Sequence, residues 1–358
     1  MKNLKVSFPN YMIGEDALKD LDKTCLTYGK NALIVGGKTA LRKVKPKLEK
    51  TFEKSELKVT DYMYYGGECT YKNIEKIAKR YSINEIDMII GVGGGKALDT
   101  AKGAADILNI PAFTVPTIAA TCAATTSLSV VYTEKGDFHS FKFLNKPPIC
   151  IFIDSEIISK APKKYLWAGI GDTMAKHYES TFASRGDKLD HSCGMGIEIS
   201  SMCVKPMLEY GHKALLDCKE DKSTFEIKQV ILNNIISTGL VSMLVKEEYN
   251  GAIAHSLFYG LTILEHIENN HLHGEVVAYG VLVQLAMDDQ REELHKLIKF
   301  YKGINLPTSL QDIGVKKNRE YLEEVLEATV KGPDMKYLPY KVSKDMIYNA
   351  IEEVENIN

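Results

Sequence analysis

The 358-residue sequence lacks a large excess of charge of either sign, because 45 lysines and arginines face 47 aspartates and glutamates and leave a net charge of −2. A chain without a cationic excess has no long-range field to hold a nucleic acid or an anionic membrane, so we expect neither as a partner. Hydrophobic residues make up 45% and charged residues 26%, which is typical of globular proteins and excludes disordered and fibrous classes. The expected partner is therefore a small molecule.

Cysteine is sparse and unpatterned. The seven cysteines form no CxxC pair, and their odd number in a chain of this length does not indicate a disulfide scaffold. The N-terminal segment has no apolar stretch of signal-peptide length. The uncharged segment 112–133 is too rich in threonine and serine for a membrane span. We therefore expect a reduced, cytoplasmic protein.

The first half of the sequence alternates short apolar runs with helical patterns. Strands are predicted at 32–35, 58–65, 86–90, 112–115 and 149–153, and helices at 41–52, 73–81 and 96–108. This alternation indicates an α/β domain with a parallel sheet covered by helices on both faces. Two further runs, 127–133 and 138–144, flank a turn-forming tetrad and predict a β-hairpin.

The second half follows a different pattern. From about residue 159, apolar residues recur every three or four positions and strand-like runs disappear, which indicates a helical bundle. Pro162 is a helix-start signal near the same place. The predicted organisation is an α/β domain over 1–158 followed by an all-α domain over 159–358.

A glycine cluster from Gly91 to Lys96 lies between a predicted strand and a predicted helix, where backbone amides favour an anion. The Walker pattern is excluded, because Ile90 and Ala97 stand at its required glycine and Ser/Thr positions. The GxGxxG pattern also fails, since Lys96 replaces its third glycine. Tight strand-to-helix packing would explain some of these glycines, but three in succession favour close backbone approach to a pyrophosphate.

Three residues of the second half have the pattern of a catalytic metal site. Asp172 precedes a predicted helix at 173–179, and taken alone it is better explained as a helix N-cap. His255 lies in an apolar helical stretch, where a lone histidine is usually a core residue, and His273 opens the next helix. One carboxylate and two histidines on three helices, with an open fourth position, suit zinc or iron. His271 is a competing ligand that we expect in the loop or beside a ligand.

Six segments in this order resemble the iron-containing alcohol dehydrogenase superfamily, and within it most closely the glycerol dehydrogenases. They are 65–70, 91–102, 115–121, 128–133, 168–176 and 273–280. The resemblance implies a dinucleotide-binding domain over 1–158 and a helical metal-binding domain over 159–358, a fold shared with dehydroquinate synthase. It also implies a homo-oligomer that transfers hydride between NAD or NADP and a small alcohol or polyol, with glycerol and dihydroxyacetone as the expected pair.

The resemblance assigns roles to particular residues. The catalytic metal, zinc with iron or another divalent ion as alternatives, would be held by Asp172, His255 and His273. The pyrophosphate loop would contain Gly94, Gly95, Lys96 and Asp99, and the cofactor would be lined by Thr117, Thr121, Thr126, Leu128 and Tyr132.

Two positions depart from the family pattern. Gly37 stands where NAD-preferring members carry an aspartate that binds the adenosine ribose, and Lys38 follows it. Loss of that acid beside a cation would permit NADPH, although the basic stretch is also explained as a solvated helix face. Cys122 stands where glycerol dehydrogenases carry an aspartate that binds a substrate hydroxyl. A thiol is a weak partner for a hydroxyl, so Cys122 disfavours glycerol and leaves open a less hydroxylated alcohol, an aldehyde or ketone, or a phosphorylated glycerol.

Several other functions remain open at this point. Within the superfamily they are glycerol-1-phosphate dehydrogenase, for which His139, Lys142 and Lys146 are candidate phosphate contacts, and an NADPH-dependent aldehyde or ketone reductase. A dehydroquinate synthase-like lyase is disfavoured, because its first metal ligand is a glutamate and this chain has Asp172. A nucleotide-binding protein without catalysis is disfavoured by the intact set of metal ligands.

Overall fold

The structure is a computed structural model that describes residues 6–81 and 84–357. The chain forms two compact units: the first contains the chain up to Lys163 together with Asp217–Leu240, and the second contains Lys164–Leu216 and the chain from Val241 onward. The sequence instead predicts one boundary at 158/159, with every later residue in the helical domain. Helical periodicity identifies the 217–240 segment as helical but carries no signal for the unit against which it packs.

The first unit contains all the strands of the described residues. They are β1 (Asn10–Gly14), β2 (Asn31–Gly36), β3 (Lys58–Tyr64), β4 (Met88–Gly93), β5 (Ala112–Pro116), β6 (Leu128–Tyr132), β7 (Phe138–Phe143) and β8 (Cys150–Asp154). Six of them form a parallel sheet in the order β1-β8-β5-β4-β2-β3, and β6 pairs with β7 as an antiparallel hairpin. The predicted parallel sheet and hairpin are therefore confirmed. The prediction missed β1, an edge strand whose Tyr11 and Met12 are exposed.

The helices in the first part of the chain are α1 (Leu21–Leu26), α2 (Lys38–Phe52), α3 (Tyr71–Arg80), α4 (Gly95–Leu108) and α5 (Ser155–Ser159). The three helices predicted in the first half are present as α2, α3 and α4, whereas the short helices α1 and α5 were not predicted. The helices that follow are α6 (Lys163–Ala183), α7 (His191–Ser200), α8 (Lys205–Lys219), α9 (Phe225–Leu232), α10 (Thr238–Leu244), α11 (Ile253–Leu261), α12 (Glu265–Asn270), α13 (His273–Met287), α14 (Arg291–Ile304), α15 (Glu323–Val330) and α16 (Lys344–Ile357).

The core of the first unit lies on both faces of the sheet. Along β2, Ala32 and Ile34 pack with α1 and α2, whereas Leu33 and Val35 belong to a separate cluster with α3 and α4. Successive side chains of a strand point to opposite faces, so this alternation shows that both faces of the central strand are buried. Such burial is typical of a parallel sheet between two helical layers.

One helical segment, Phe225–Leu244, joins α9 and α10 through a π-helical turn. Among the described residues it is the one segment long and apolar enough to cross a membrane. Its most apolar 18-residue stretch is 61% buried inside the structure, as expected for a core helix. Within the first unit, Asn234 donates to the Ala119 carbonyl at 2.7 Å and Thr125 donates to the Ile235 carbonyl at 2.7 Å. These buried hydrogen bonds hold the segment against the loop that follows β5.

Candidate functional site

The three predicted metal ligands come together inside the second unit. Asp172 lies on α6, His255 on α11, and His273 is the first residue of α13. Asp172 is in the middle of its helix rather than before it, so the N-cap explanation is wrong. Its Oδ1 lies 3.6 Å from Nε2 of His255 and 3.4 Å from Nε2 of His273. One ligand atom from each residue lies within 4.8 Å of the other two.

Close contacts between helix backbones position these ligands. A Cβ at Gly274 would lie 2.1 Å from the Ala168 carbonyl oxygen, so only glycine permits the approach of α13 to α6. A Cβ at Gly280 would lie 2.6 Å from the carbonyl oxygen of Ala254, where α13 contacts α11. Gly274 directly follows His273, and Ala254 directly precedes His255, so these two close approaches bring the three helices near enough for short side chains to meet.

The geometry of the cluster fits a divalent metal. Two ligand atoms about 2.05 Å from a tetrahedral zinc are about 3.3 Å apart, which is close to the measured carboxylate-to-imidazole distances. Two imidazole nitrogens and one carboxylate oxygen are also a donor set that zinc and iron accept. The three side chains therefore need only small movements to hold the ion.

The charges of the cluster are strongly coupled. Burial alone would raise the pKa of Asp172, but hydrogen bonds from His255 and His273 hold it well below its usual range. Burial would likewise lower the pKa of His255, but the charges of Glu179 and Asp172 raise it to about 10. The carboxylates of Asp172 and Glu179 are therefore ionised, and they hold a proton on the His255 imidazole when no metal is bound. A metal ion would displace that proton.

Glu179 is a buried residue of this region that the sequence analysis does not single out. It lies on α6 and is completely buried, and its Oε2 binds Nδ1 of His255. Its pKa is lowered: burial opposes ionisation, but the His255 charge and hydrogen bonds outweigh it. A usable signal existed, because Glu179 follows Asp172 by seven residues and therefore lies on the same face of the helix.

The other candidate histidine is placed elsewhere. Nδ1 of His271 binds Oε1 of Glu275 at 2.8 Å, and His271 ends α12 outside the three-residue cluster. The expectation that His271 lies outside the ligand set agrees with this placement. His273, in contrast, is packed edge-on against Phe258, with ring centroids 4.4 Å apart. Phe258 gives one side of the ligand cluster an apolar wall.

The predicted pyrophosphate residues meet in the first unit, where β4 and β5 end. Gly94 is the N-cap residue of α4, so the first amides of that helix point toward the glycine turn. The Thr117 amide donates to the Gly93 carbonyl at 3.0 Å, and a Cβ at Gly95 would lie 3.3 Å from Oγ1 of Thr121. The structure therefore brings these residues together around a helix N-terminus of the kind that binds phosphate.

Lys96 and Tyr132 lie beside this turn. The Lys96 ammonium binds Oε2 of Glu68 at 2.5 Å and stands 4.8 Å from the centre of the Tyr132 ring. Glu68 was not among the predicted site residues. The side chain of Lys96 is exposed, so its ammonium can exchange Glu68 for an anionic group of a bound molecule.

The resemblance places Asp99 in the pyrophosphate loop, but in the structure its carboxylate belongs to a buried ion pair. It is buried and pairs with the buried Lys102, whose ammonium lies 2.9 Å from Oδ1. Lys102 also donates to the carbonyls of Thr126 and Leu128, at 3.0 and 2.6 Å. Asp99 accepts from the Val130 amide at 3.1 Å. The pair therefore holds the start of β6 in place, and direct contact between the Asp99 carboxylate and a cofactor stays a prediction.

The segment after β2 places the two residues that bear on cofactor choice. Gly37 is the N-cap residue of α2, and its amide lies near the Val92 carbonyl of β4 at 3.4 Å. Lys38 begins α2 and stands 5.0 Å from the centre of the Tyr64 ring. Lys47, farther along the same helix, binds Asp154 at 2.6 Å and Glu156 at 2.7 Å. Lys47 is thus a structural cation, whereas Lys38 remains exposed at the helix start.

Comparison with known proteins identifies relatives over almost the whole chain. The family model described as iron-containing alcohol dehydrogenase matches residues 9–155. Glycerol dehydrogenase of Thermotoga maritima is 31% identical over 97% of this chain and 96% of its own length. Hydroxycarboxylate dehydrogenase A of Escherichia coli is 34% identical over 91% of this chain and 89% of its own. The crystal structure of glycerol dehydrogenase from Schizosaccharomyces pombe has a TM-score of 0.88 and 29% identity, covering 99% of this chain and 91% of that one.

Proposed function

The chain belongs to the iron-containing alcohol dehydrogenase family, and we propose that it transfers hydride between NAD(P) and a small polyol, with glycerol as the first candidate. The observation that carries the proposal is the convergence of Asp172, His255 and His273 from three helices. Their ligand atoms have the spacing and chemistry of a catalytic metal site with three protein ligands. Glycerol as the candidate substrate is supported by the names of the relatives.

The residues of the cluster have distinct roles in this reaction. A divalent metal held there would supply Lewis acidity, which would lower the pKa of the hydroxyl group of an alcohol substrate. Asp172 contributes negative charge, while His255 and His273 contribute neutral nitrogen donors. Phe258 covers the edge of the His273 ring and keeps that side of the cluster apolar.

The first unit supplies the binding residues for the cofactor. The amides at the start of α4, with Gly94 and Gly95 beside Thr121, form the proposed pyrophosphate site. Lys96 adds a cation that can pair with a phosphate oxygen. The nicotinamide ring of the bound cofactor supplies the hydride acceptor.

Cofactor choice follows from the segment after β2. We expect NADP(H) to serve at least as well as NAD(H), because Gly37 places no carboxylate beside the ribose and Lys38 offers an exposed cation at the start of α2. Loss of the repulsion between a carboxylate and a 2′-phosphate removes the main barrier to NADP(H). A hundredfold preference for NAD under equal conditions would contradict this expectation.

Cys122 favours a second candidate substrate class. It lies in the loop between β5 and β6 and is only partly buried. Because a thiol is a weak hydrogen-bond partner, a less hydroxylated alcohol, or an aldehyde or ketone in the reductive direction, would lose little here. A phosphorylated glycerol is less favoured, since the Lys142 ammonium is already bound by Asp106 at 2.7 Å.

A substrate panel on zinc-reconstituted protein tests these proposals. Absorbance of the reduced cofactor would be followed with glycerol, glycerol-1-phosphate and, in the reductive direction, a simple aldehyde, using NAD(H) and NADP(H) in turn. Turnover of glycerol would support the polyol assignment and show that Cys122 is tolerated. Activity only on the phosphate, or only on the aldehyde, would overturn glycerol as the substrate.

A further inference from the structure

The helix that carries His255 begins without a capping side chain of its own. Its N-cap residue, Ala252, offers no side-chain oxygen, so the first amides of α11 need partners from elsewhere. Oε1 of Glu179 accepts from the amides of Ala252 at 2.8 Å and His255 at 2.9 Å. Oε1 of Gln284 accepts from the amide of Ile253 at 3.2 Å. Two buried side chains from α6 and α13 therefore cap α11.

The second oxygen of Glu179 has a different partner. Oε2 binds Nδ1 of the His255 ring, while Oε1 holds the backbone of the same residue. Glu179 is fully buried, and an ionised carboxylate there is costly unless its oxygens are satisfied. Both oxygens are satisfied largely by His255, so this carboxylate is matched to the backbone and the ring of one residue.

The contact at Nδ1 decides which nitrogen of the ring is free. An ionised carboxylate can only accept, so Nδ1 must carry the proton that it donates to Glu179. A neutral imidazole has one protonated nitrogen, which leaves the lone pair on Nε2. Nε2 is the atom that lies 3.6 Å from Asp172 in the ligand cluster.

We propose that Glu179 is a positioning residue that caps α11 and holds His255 in the tautomer with Nδ1 protonated, so that Nε2 can bind the metal. This inference rests on the proposed metal site. Partners of this kind behind a metal-binding histidine fix its ring orientation, and their loss typically lowers metal affinity about 10–100-fold.

Glu179→Gln is the sharpest substitution, because it keeps the shape of the side chain. Glutamine has one oxygen and one amino group, so it cannot accept hydrogen bonds both from the two backbone amides and from Nδ1 of the ring. If its oxygen stays on the amides, its amino group faces Nδ1 and the ring proton moves to Nε2, where it blocks the metal. We expect zinc affinity, measured by competition with a chromophoric chelator, to fall about 10–100-fold.

Gln284→Met is the matched control. It removes a capping acceptor from the same helix start, at Ile253, but leaves the contact between Glu179 and His255 intact. We expect its zinc affinity to stay within about threefold of the unmodified protein, since the His255 ring keeps its partner. Equal losses in the two variants, or unchanged affinity in Glu179→Gln, would overturn the proposed control of the tautomer.

A measurement on the unmodified protein keeps the inference testable even if Glu179→Gln does not fold. In ¹⁵N NMR spectra of the histidine-labelled, zinc-loaded protein, we expect the His255 ring to show a protonated Nδ1 and a metal-bound Nε2. Zinc binding through Nδ1 would overturn the inference. Failure of the unmodified protein to bind zinc at all would instead overturn the metal site of the proposed function.

Discussion

Two aspartates on helices, the partly buried Asp172 on α6 and the buried Asp99 on α4, occupy contrasting environments. Asp172 faces two imidazole nitrogens, and these contacts hold its pKa well below the usual range although burial opposes ionisation. Burial raises the pKa of Asp99, although Lys102 and the Val130 amide favour its charged form. A buried acid on a helix is therefore not by itself a ligand site.

The two aspartates differ in whether a metal ion can replace the groups that contact them. A metal ion would displace the proton that the carboxylates hold on His255, so the contacts around Asp172 are exchangeable. Lys102 is held by Asp99 and by the carbonyls of Thr126 and Leu128, so its contacts are permanent parts of the fold. The first region is arranged to bind an ion, and the second to hold a loop.

The largest effect is expected from a substitution in the ligand cluster around Asp172. Asp172→Asn removes the negative ligand, and we expect hydride transfer to fall about 1,000-fold or more, because metal activation of the alcohol is lost. Zinc content by elemental analysis should fall in parallel. His271→Asn is the control, and its activity should stay close to that of the unmodified protein, since the His271 ring binds Glu275 and lies outside the ligand cluster. Full activity in Asp172→Asn would remove Asp172 from the ligand set.

The next substitution removes the buried ion pair between Asp99 and Lys102. Lys102→Met leaves Asp99 buried without its cation, and we expect the free energy of unfolding to fall by about 3 kcal/mol. Denaturant titration would measure the change. Adding Asp99→Asn should recover part of the loss, because the uncompensated charge disappears. If Lys102→Met were as stable as the unmodified protein, the pair of Asp99 and Lys102 would not be what holds the start of β6 in place.

A third substitution tests whether the residue at position 37, before α2, determines the preference between NADP and NAD. Gly37→Asp restores a carboxylate at the start of α2, and we expect the ratio of kcat/KM for NADP to that for NAD to fall at least about tenfold. Lys45→Met is the control. It removes a cation of the same helix that lies over the Tyr62 ring, 4.7 Å from its centre, and we expect it to leave the ratio unchanged. An unchanged ratio in Gly37→Asp would separate cofactor choice from this position.

A fourth substitution addresses the substrate. Cys122→Asp supplies a strong acceptor, and we expect the KM for glycerol to fall about tenfold, within the range of one buried hydrogen bond. Cys122→Ala should change KM little, since a thiol contributes a weak hydrogen bond. Steady-state kinetics with glycerol would measure both. A KM that Cys122→Asp does not lower would place the polyol hydroxyls elsewhere.

The smallest expected effect concerns charge behind the ligand cluster. Burial raises the pKa of Asp334 to about 6, with the Glu179 charge adding to it. The folded pKa lies above the unfolded value, so the ionised carboxylate destabilises the fold above pH 6 and has no such effect below about pH 4. We expect Asp334→Asn to raise the free energy of unfolding of the metal-free protein by about 1 kcal/mol at pH 8. The gain should vanish at pH 4, and a gain equal at both values would contradict the assignment.

The sequence predicts features that repeat along one element better than contacts between elements. The apolar run at 86–90 and the glycines after it are enough to predict β4 and the start of α4. The edge strand β1 has no such run, because Tyr11 and Met12 face solvent. Glu179 is missed for another reason: its spacing from Asp172 places both residues on one face of α6, but its partners on α11 are more than seventy residues away in the sequence.

The most direct test of the account is whether hydride transfer depends on a metal bound by Asp172. Cofactor absorbance would be followed with glycerol for protein stripped by a chelator, for the same protein after zinc addition, and for Asp172→Asn given the same zinc. We predict no activity in the stripped protein, recovery with zinc, and no recovery in Asp172→Asn. Equal activity in stripped and reloaded protein would contradict the metal-dependent mechanism.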